Sequence, residues 1–133
     1  MCPPDAGDIE ELISALRSYG YMLVYQTVGE LEDSYDFEGM MNAAARHRDL
    51  MDSVKNAADR LGLSRVLYLG AGGCSICERC AKRTNEPCRH PDRAVASLET
   101  YGVNVSKLAP AAGMKYINGQ NTVTYFAAVL FDV

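Results

Sequence analysis

Cysteines at close and regular spacing are the feature of this 133-residue chain that best predicts chemistry. Cys74, Cys77, Cys80 and Cys88 form a Cys-x2-Cys-x2-Cys-x7-Cys array. Thiolates this close together in one loop converge on a common point, so the array predicts a metal site. An iron–sulfur cluster favours such spacing, because each iron needs one outward ligand and the loop must curl around the cluster. We therefore expect a 4Fe-4S cluster, with zinc as the alternative, although zinc sites usually use two well-separated ligand pairs.

The residues just before the array are rich in glycine. Gly72 and Gly73 lack a Cβ, so the chain can fold tightly beside a metal centre, and their amides can donate to thiolate sulfurs. Residues 66–72 also resemble the strand and glycine turn of methyltransferases that use S-adenosylmethionine, or a broken dinucleotide fingerprint. That kind of pocket needs a helix directly after the glycines. Cysteines and then Pro87 follow instead, so we expect the glycines to serve the metal loop.

Disulfide bonding is the other use that this number of cysteines allows. The N-terminus has neither the basic start nor the apolar core of a signal peptide, which favours a reducing, cytoplasmic location. Disulfides are rare in that compartment, and clustered cysteines there more often bind metal.

Charge and hydropathy narrow the choice of partners. The net charge of −4 argues against general nucleic-acid binding, and no apolar run is long enough to cross a membrane. The cysteine segment is nevertheless locally basic. Its positive side chains could balance a thiolate-bound cluster or receive an acidic redox partner. These residues are Lys82, Arg83, Arg89, His90 and Arg93.

Catalysis is not indicated. Four thiolates are available for four irons, so an open iron acting as a Lewis acid has no special support. A nucleophilic cysteine would need a separately placed histidine and acid, and the chain has only His47 and His90. We expect His47 to be a surface residue. His90 is an alternative zinc ligand in a Cys3His site, but a surface or supporting position is the ordinary expectation.

Periodicity and capping residues predict the elements that position the array. Asp8 caps a first helix that ends near Gly20, and residues 21–28 read as a buried strand. Asp36 caps a long helix over residues 37–61. Its predicted apolar face consists of Phe37, Met41, Ala44, Met51, Val54, Ala58 and Leu61.

The second half is predicted to contain shorter elements. Residues 65–69 form a buried strand that leads directly into the glycines and Cys74. A short helix follows from residue 93 and ends at Gly102, and a second covers residues 105–112. A turn at residues 118–121 then separates two extended runs, the second ending at Phe131. The order predicts an α/β fold: a small mixed or antiparallel sheet, packed by one long and several short helices, with the metal loop at one edge.

The same motifs resemble a known family. The glycines and the cysteine array, residues 87–91 (Pro-Cys-Arg-His-Pro) and residues 97–105 resemble a family of predicted metal-binding proteins of bacteria and archaea, a domain of unknown function (DUF2284). The opening Cys2-Pro3-Pro4 resembles that family's Cys-Pro-Pro motif, so the resemblance covers essentially the whole chain. It implies a metal-binding domain and no established reaction.

We expect residues 1–133 to form a single metal-binding domain. Family members usually carry a segment with further cysteines ahead of the Cys-Pro-Pro motif, so the resemblance implies a shortened relative or a sequence without that segment. In longer relatives Cys2 could help bind a second metal. In this chain we expect it to be a free or cluster-adjacent thiol.

Two functional classes follow. In the first, the cluster passes single electrons to a redox protein that docks on the basic residues. In the second, zinc only holds the loop, and the domain binds a partner or ligand at Arg89, His90 and Arg93.

Overall fold

One mixed sheet organises the chain in the computed structural model, which describes residue 2, residues 5–74 and residues 76–133. It contains strands β1 (Tyr21–Glu30), β2 (Arg65–Gly70), β3 (Ala96–Ser97) and β4 (Thr122–Asp132). The strand order is β1-β4-β2-β3. β4 is antiparallel to both β1 and β2, whereas β2 and β3 are parallel. The predicted α/β class with a small mixed sheet is confirmed.

The exposure of β1 and the pairing of β4 both differ from the predictions. β1 is an edge strand, and its Tyr21 and Leu23 are more than half exposed, so the prediction of a buried strand is wrong. β4 follows the turn signal at residues 118–121, which predicts pairing with the extended run before the turn. It pairs instead with β1, in the register Tyr21 opposite Phe131, and residues 114–121 have no strand structure.

Helix α2 (Phe37–Asp59) covers one face of the sheet, against β1 and β4. Asp36 caps it as predicted, by accepting from the Gly39 amide at 2.8 Å. Gly29 of β1 permits close approach, because a Cβ built there would lie 2.6 Å from the Ala43 Cβ. The predicted apolar face is partly wrong, because Phe37, Met41 and Leu61 are exposed, whereas Ala43 and His47 are buried.

Helices α1 (Ile9–Arg17) and α3 (Val105–Ala111) cover the opposite face. Asp8 caps α1, again as predicted, with its carboxylate 3.4 Å from the Glu11 amide nitrogen. Alternate residues of β4 point into the main core on this side. That core contains Leu69, Leu98, Val105, Ala109, Phe126, Ala128 and Leu130.

The segment after the cysteine loop forms the helix predicted from residue 93 only at its end, where Gly102, with a φ of +79°, terminates a helical turn as predicted. It contains β3 and a short 3-10 helix, Glu99–Tyr101. Pairing with β2 explains the difference: the Leu98 amide donates to the Gly70 carbonyl at 3.0 Å, and the Ser97 hydroxyl accepts from the Thr100 amide at 3.2 Å.

Within the described residues, no helix combines the length and apolar composition needed to span a bilayer.

Candidate metal centre in the β2–β3 connection

The connection between β2 and β3 carries the whole cysteine array at one side of the sheet. Its first turn requires Gly72, whose φ of +67° lies in the left-handed region that glycine adopts without penalty. A 3-10 helix, Ala81–Thr84, follows Cys80 and ends at Asn85, which has a φ of 56°. The guanidinium of Arg89 donates to the Arg79 carbonyl at 2.9 Å and so joins two parts of the connection. Ser75 lies outside the described residues.

Three cysteines of the array, Cys74, Cys80 and Cys88, line one cavity of about 190 Å³. Cys2, at the N-terminus of the chain, lines the same cavity. Cys77, which the spacing also predicts as a ligand, is half-buried and is not part of this lining. All five cysteines are free thiols. The fold therefore brings together a thiol set that is similar to the predicted one but not identical to it.

Side chains that line one cavity are not necessarily close enough together to coordinate a metal ion. In the part of the chain that the structure describes, no group of three or more His, Cys, Asp or Glu side chains has the arrangement that would hold a metal ion. His90, the alternative ligand in the sequence, is half-buried and is not part of the cavity lining. The donor chemistry of the cavity still suits a soft metal, because thiolates are the preferred ligands of zinc and of iron–sulfur clusters.

One cation of the basic segment belongs to the thiol cavity. The Lys82 ammonium lies 3.9 Å from an Asp5 carboxylate oxygen, and both residues line the cavity with the cysteines. This ion pair connects the N-terminal segment to the turn after Cys80. Arg93 lies apart from it and lines a neighbouring cavity.

That neighbouring cavity is larger, at about 370 Å³, and lies between α2 and residues 70–74. Gly73 and Cys74 line both cavities, so they separate the two spaces. Charged residues of α2, Arg48, Asp49 and Asp52, contribute to its lining. Small molecules in proteins commonly bind in clefts of this size.

His47 also lines the larger cavity, and the expectation that it would be a surface residue is wrong. It is 4% exposed, its Nδ1 is 2.8 Å from the Thr27 hydroxyl, and its ring stacks on Tyr125 at 5.4 Å. Burial lowers the pKa of His47, and a nearby backbone group of Phe126 partly opposes that shift. Nε2 makes no hydrogen bond of ordinary geometry within the described residues. The sequence carried one signal for this burial, the spacing of four from Ala43 on the same helical face.

Comparison with known proteins supports metal binding at the level of the family. The family model described as predicted metal-binding protein (DUF2284) matches residues 1–131. No curated protein and no solved structure matches the chain at a significant level. The matched segment includes the cysteines of the array and Cys2. The chain therefore belongs to the DUF2284 family of predicted metal-binding proteins.

Proposed function

We propose that the cysteines of the β2–β3 connection bind a metal centre. The observation that carries this proposal is the shared cavity, in which Cys74, Cys80 and Cys88 lie together although the array spans a connection with several turns. Family membership supports it at a coarser level, because the family is described as metal-binding. The spacing assigns the fourth ligand position to Cys77.

The proposed centre is a 4Fe-4S cluster rather than a zinc ion, and its proposed task is electron transfer. The Cys-x2-Cys-x2-Cys spacing supports this choice, because such loops wrap compact clusters. When bound, a cluster of this kind accepts and passes on single electrons. Of the two glycines before the array, Gly73 lines the thiol cavity, so its amide would be the donor to the sulfurs, whereas Gly72 lines only the neighbouring cavity.

The proposed partner is another redox protein, in the cytoplasm. Lys82, Arg83 and Arg89 make the connection locally basic within a chain of net charge −4, so an acidic docking surface would be recognised beside the centre. The same net charge disfavours nucleic acid as the partner.

A reductive titration tests the redox proposal. Anaerobically purified protein should be brown, and its visible absorption should bleach on addition of dithionite. Cys80→Ser, which removes a thiol from the cavity, should lose the chromophore, whereas the exposed control Ser53→Ala should keep it. A colourless protein that contains metal and does not respond to dithionite would exclude the redox function.

A second candidate function is a binding domain whose loop is held by zinc. The cavity of about 370 Å³ favours it, because that space shares Gly73 and Cys74 with the thiol cavity. In this case the metal would fix one wall of a ligand site that includes Arg93. One zinc per chain, with no sulfide, would favour this function over electron transfer.

A further inference from the structure

We propose that Cys2 is a ligand of the metal centre and occupies the fourth position, which the spacing alone assigns to Cys77. This inference rests on the proposed function, because it names a residue of the same metal site. It also changes the expected ligand set to Cys2, Cys74, Cys80 and Cys88. Because this set leaves out Cys77, the Cys-x2-Cys-x2-Cys spacing no longer distinguishes a cluster from zinc, and metal and sulfide analysis decides between them.

The cavity lining distinguishes the two candidates. Cys2 is exposed and lines the cavity with Cys74, Cys80 and Cys88, whereas Cys77 lies in the same loop but outside that lining. Cys77 can lie outside the cavity although it is near Cys74 and Cys80 in sequence, because the loop changes direction between them. Cys2 can line the cavity although it is distant in sequence, because the fold brings the N-terminus back to the loop.

An independent contact holds the N-terminal segment beside the loop. Asp5 follows Cys2 closely in sequence and pairs with Lys82 at 3.9 Å. Asp5 and Lys82 also line the cavity. The pair therefore places Asp5, three residues after Cys2 in the sequence, beside the 3-10 helix that directly follows Cys80.

The chemistry of the set suits a soft metal centre. Each cysteine binds as a thiolate, so four thiols release four protons when they bind, and the centre gains four negative charges from the protein. The Lys82 ammonium and the Asp5 carboxylate both line the cavity and pair with each other, so the two together add no net charge to the site.

Single variants test the ligand set. Cys2→Ser, Cys77→Ser and Cys80→Ser are purified anaerobically in parallel with the unchanged chain, and metal, sulfide and absorption spectrum are measured for each. We expect Cys2→Ser and Cys80→Ser to lose most of the metal or to shift its spectrum, and Cys77→Ser to retain both. Loss in Cys77→Ser together with full retention in Cys2→Ser would overturn the assignment of Cys2 and leave the proposed metal site intact. Full retention in Cys80→Ser would contradict the proposed site itself.

Thiol labelling of the unchanged chain avoids any folding defect of a variant. The metal-loaded protein is treated briefly with N-ethylmaleimide, and the modified cysteines are identified by mass spectrometry. We expect Cys77 to be labelled and Cys2, despite its exposure, to be protected until a chelator removes the metal. Rapid labelling of Cys2 with protection of Cys77 would overturn the inference. Equal labelling of all five cysteines in loaded protein would overturn the proposed metal site.

Discussion

Asp5 and Lys82 form an ion pair at 3.9 Å that joins the N-terminal segment to the turn after Cys80. Both side chains are partly exposed, at 45% and 37%, so the pair contributes only about 0–1 kcal/mol. Its significance is local, because both residues line the cavity that Cys2 shares with the loop cysteines. The pair positions the segment rather than stabilising the whole fold.

Asp5→Asn should therefore weaken metal retention while lowering the melting temperature by no more than a few degrees. We expect release of metal to a chelator to accelerate by up to about fivefold, the factor that corresponds to about 1 kcal/mol. Asp92→Asn, an exposed acid of the same connection, is the matched control and should release metal at the original rate. Equal rates in Asp5→Asn and the unchanged chain would show that the ion pair does not support the site.

Gly72 and Gly73 offer a matched pair of substitutions in the loop. A Cβ at either glycine would meet no atom within 4 Å, so space does not distinguish them. Only Gly72 has a left-handed φ, +67°, and a non-glycine residue in that conformation costs about 1–2 kcal/mol. We expect Gly72→Ala to lower metal occupancy more than Gly73→Ala, as measured by chelator competition, because Gly73→Ala keeps the amide at the thiol cavity and adds no backbone strain. The reverse order would contradict this account of the turn.

His47 should make the free energy of unfolding depend on pH below neutrality. Burial lowers its pKa from the ordinary value of 6.5, so the unfolded chain binds a proton more readily than the folded chain does. The stabilising effect of neutral His47 is complete above about pH 6.5 and is lost as pH falls towards the folded pKa, by at most about 1.4 kcal/mol per pH unit. The neighbouring Tyr25 does not contribute in this range, because burial raises its pKa to about 12.

Denaturant unfolding at pH 8 and pH 5 measures this dependence. His47→Gln should lose the part of the pH dependence that the buried imidazole causes, whatever its absolute stability. His90→Gln, the control at the only other histidine, should retain it. If the free energy of unfolding changes between pH 8 and pH 5 by the same amount in His47→Gln as in the unchanged chain, other groups cause the pH dependence.

Gly29→Ala should destabilise the packing of α2 on β1. The new Cβ would lie 2.6 Å from the Ala43 Cβ and 3.3 Å from the Val123 Cγ1, and overpacking of this kind costs about 1–3 kcal/mol. Ala43→Gly removes the nearer atom, at an intrinsic cost of about 1 kcal/mol in a helix. In a double-mutant cycle the two substitutions should therefore be less destabilising together than the sum of their separate effects. Additive effects would contradict a direct clash between the two Cβ atoms and would mean that α2 shifts away from β1 without a cost in the free energy of unfolding.

Local signals in the sequence were reliable for this fold. The caps Asp8 and Asp36 determine where α1 and α2 begin, because each carboxylate accepts a hydrogen bond from an amide of the first turn. The β2 strand and the position of the cysteines after it were also predictable, since short apolar runs bounded by glycine need little tertiary information. The metal-binding family could be recognised from the cysteine and glycine motifs.

Long-range pairing could not be read from the same patterns. β3 is only two residues long and exists because it pairs with β2, so local propensity gave a helix there instead. The burial of His47 depends on which face of α2 meets the sheet, and alanines on that face gave only a weak apolar signal. The presence of Cys2 at the thiol cavity is likewise a property of the folded chain.

The central claim is that the cysteine loop binds a metal centre, and metal and sulfide analysis of anaerobically purified protein tests it most directly. We expect iron and acid-labile sulfide at about four each per chain, with a broad absorption band near ~400 nm. The same analysis of Cys80→Ser should show that this content depends on the loop. Metal-free protein, or a metal content that is unchanged in Cys80→Ser, would contradict the claim.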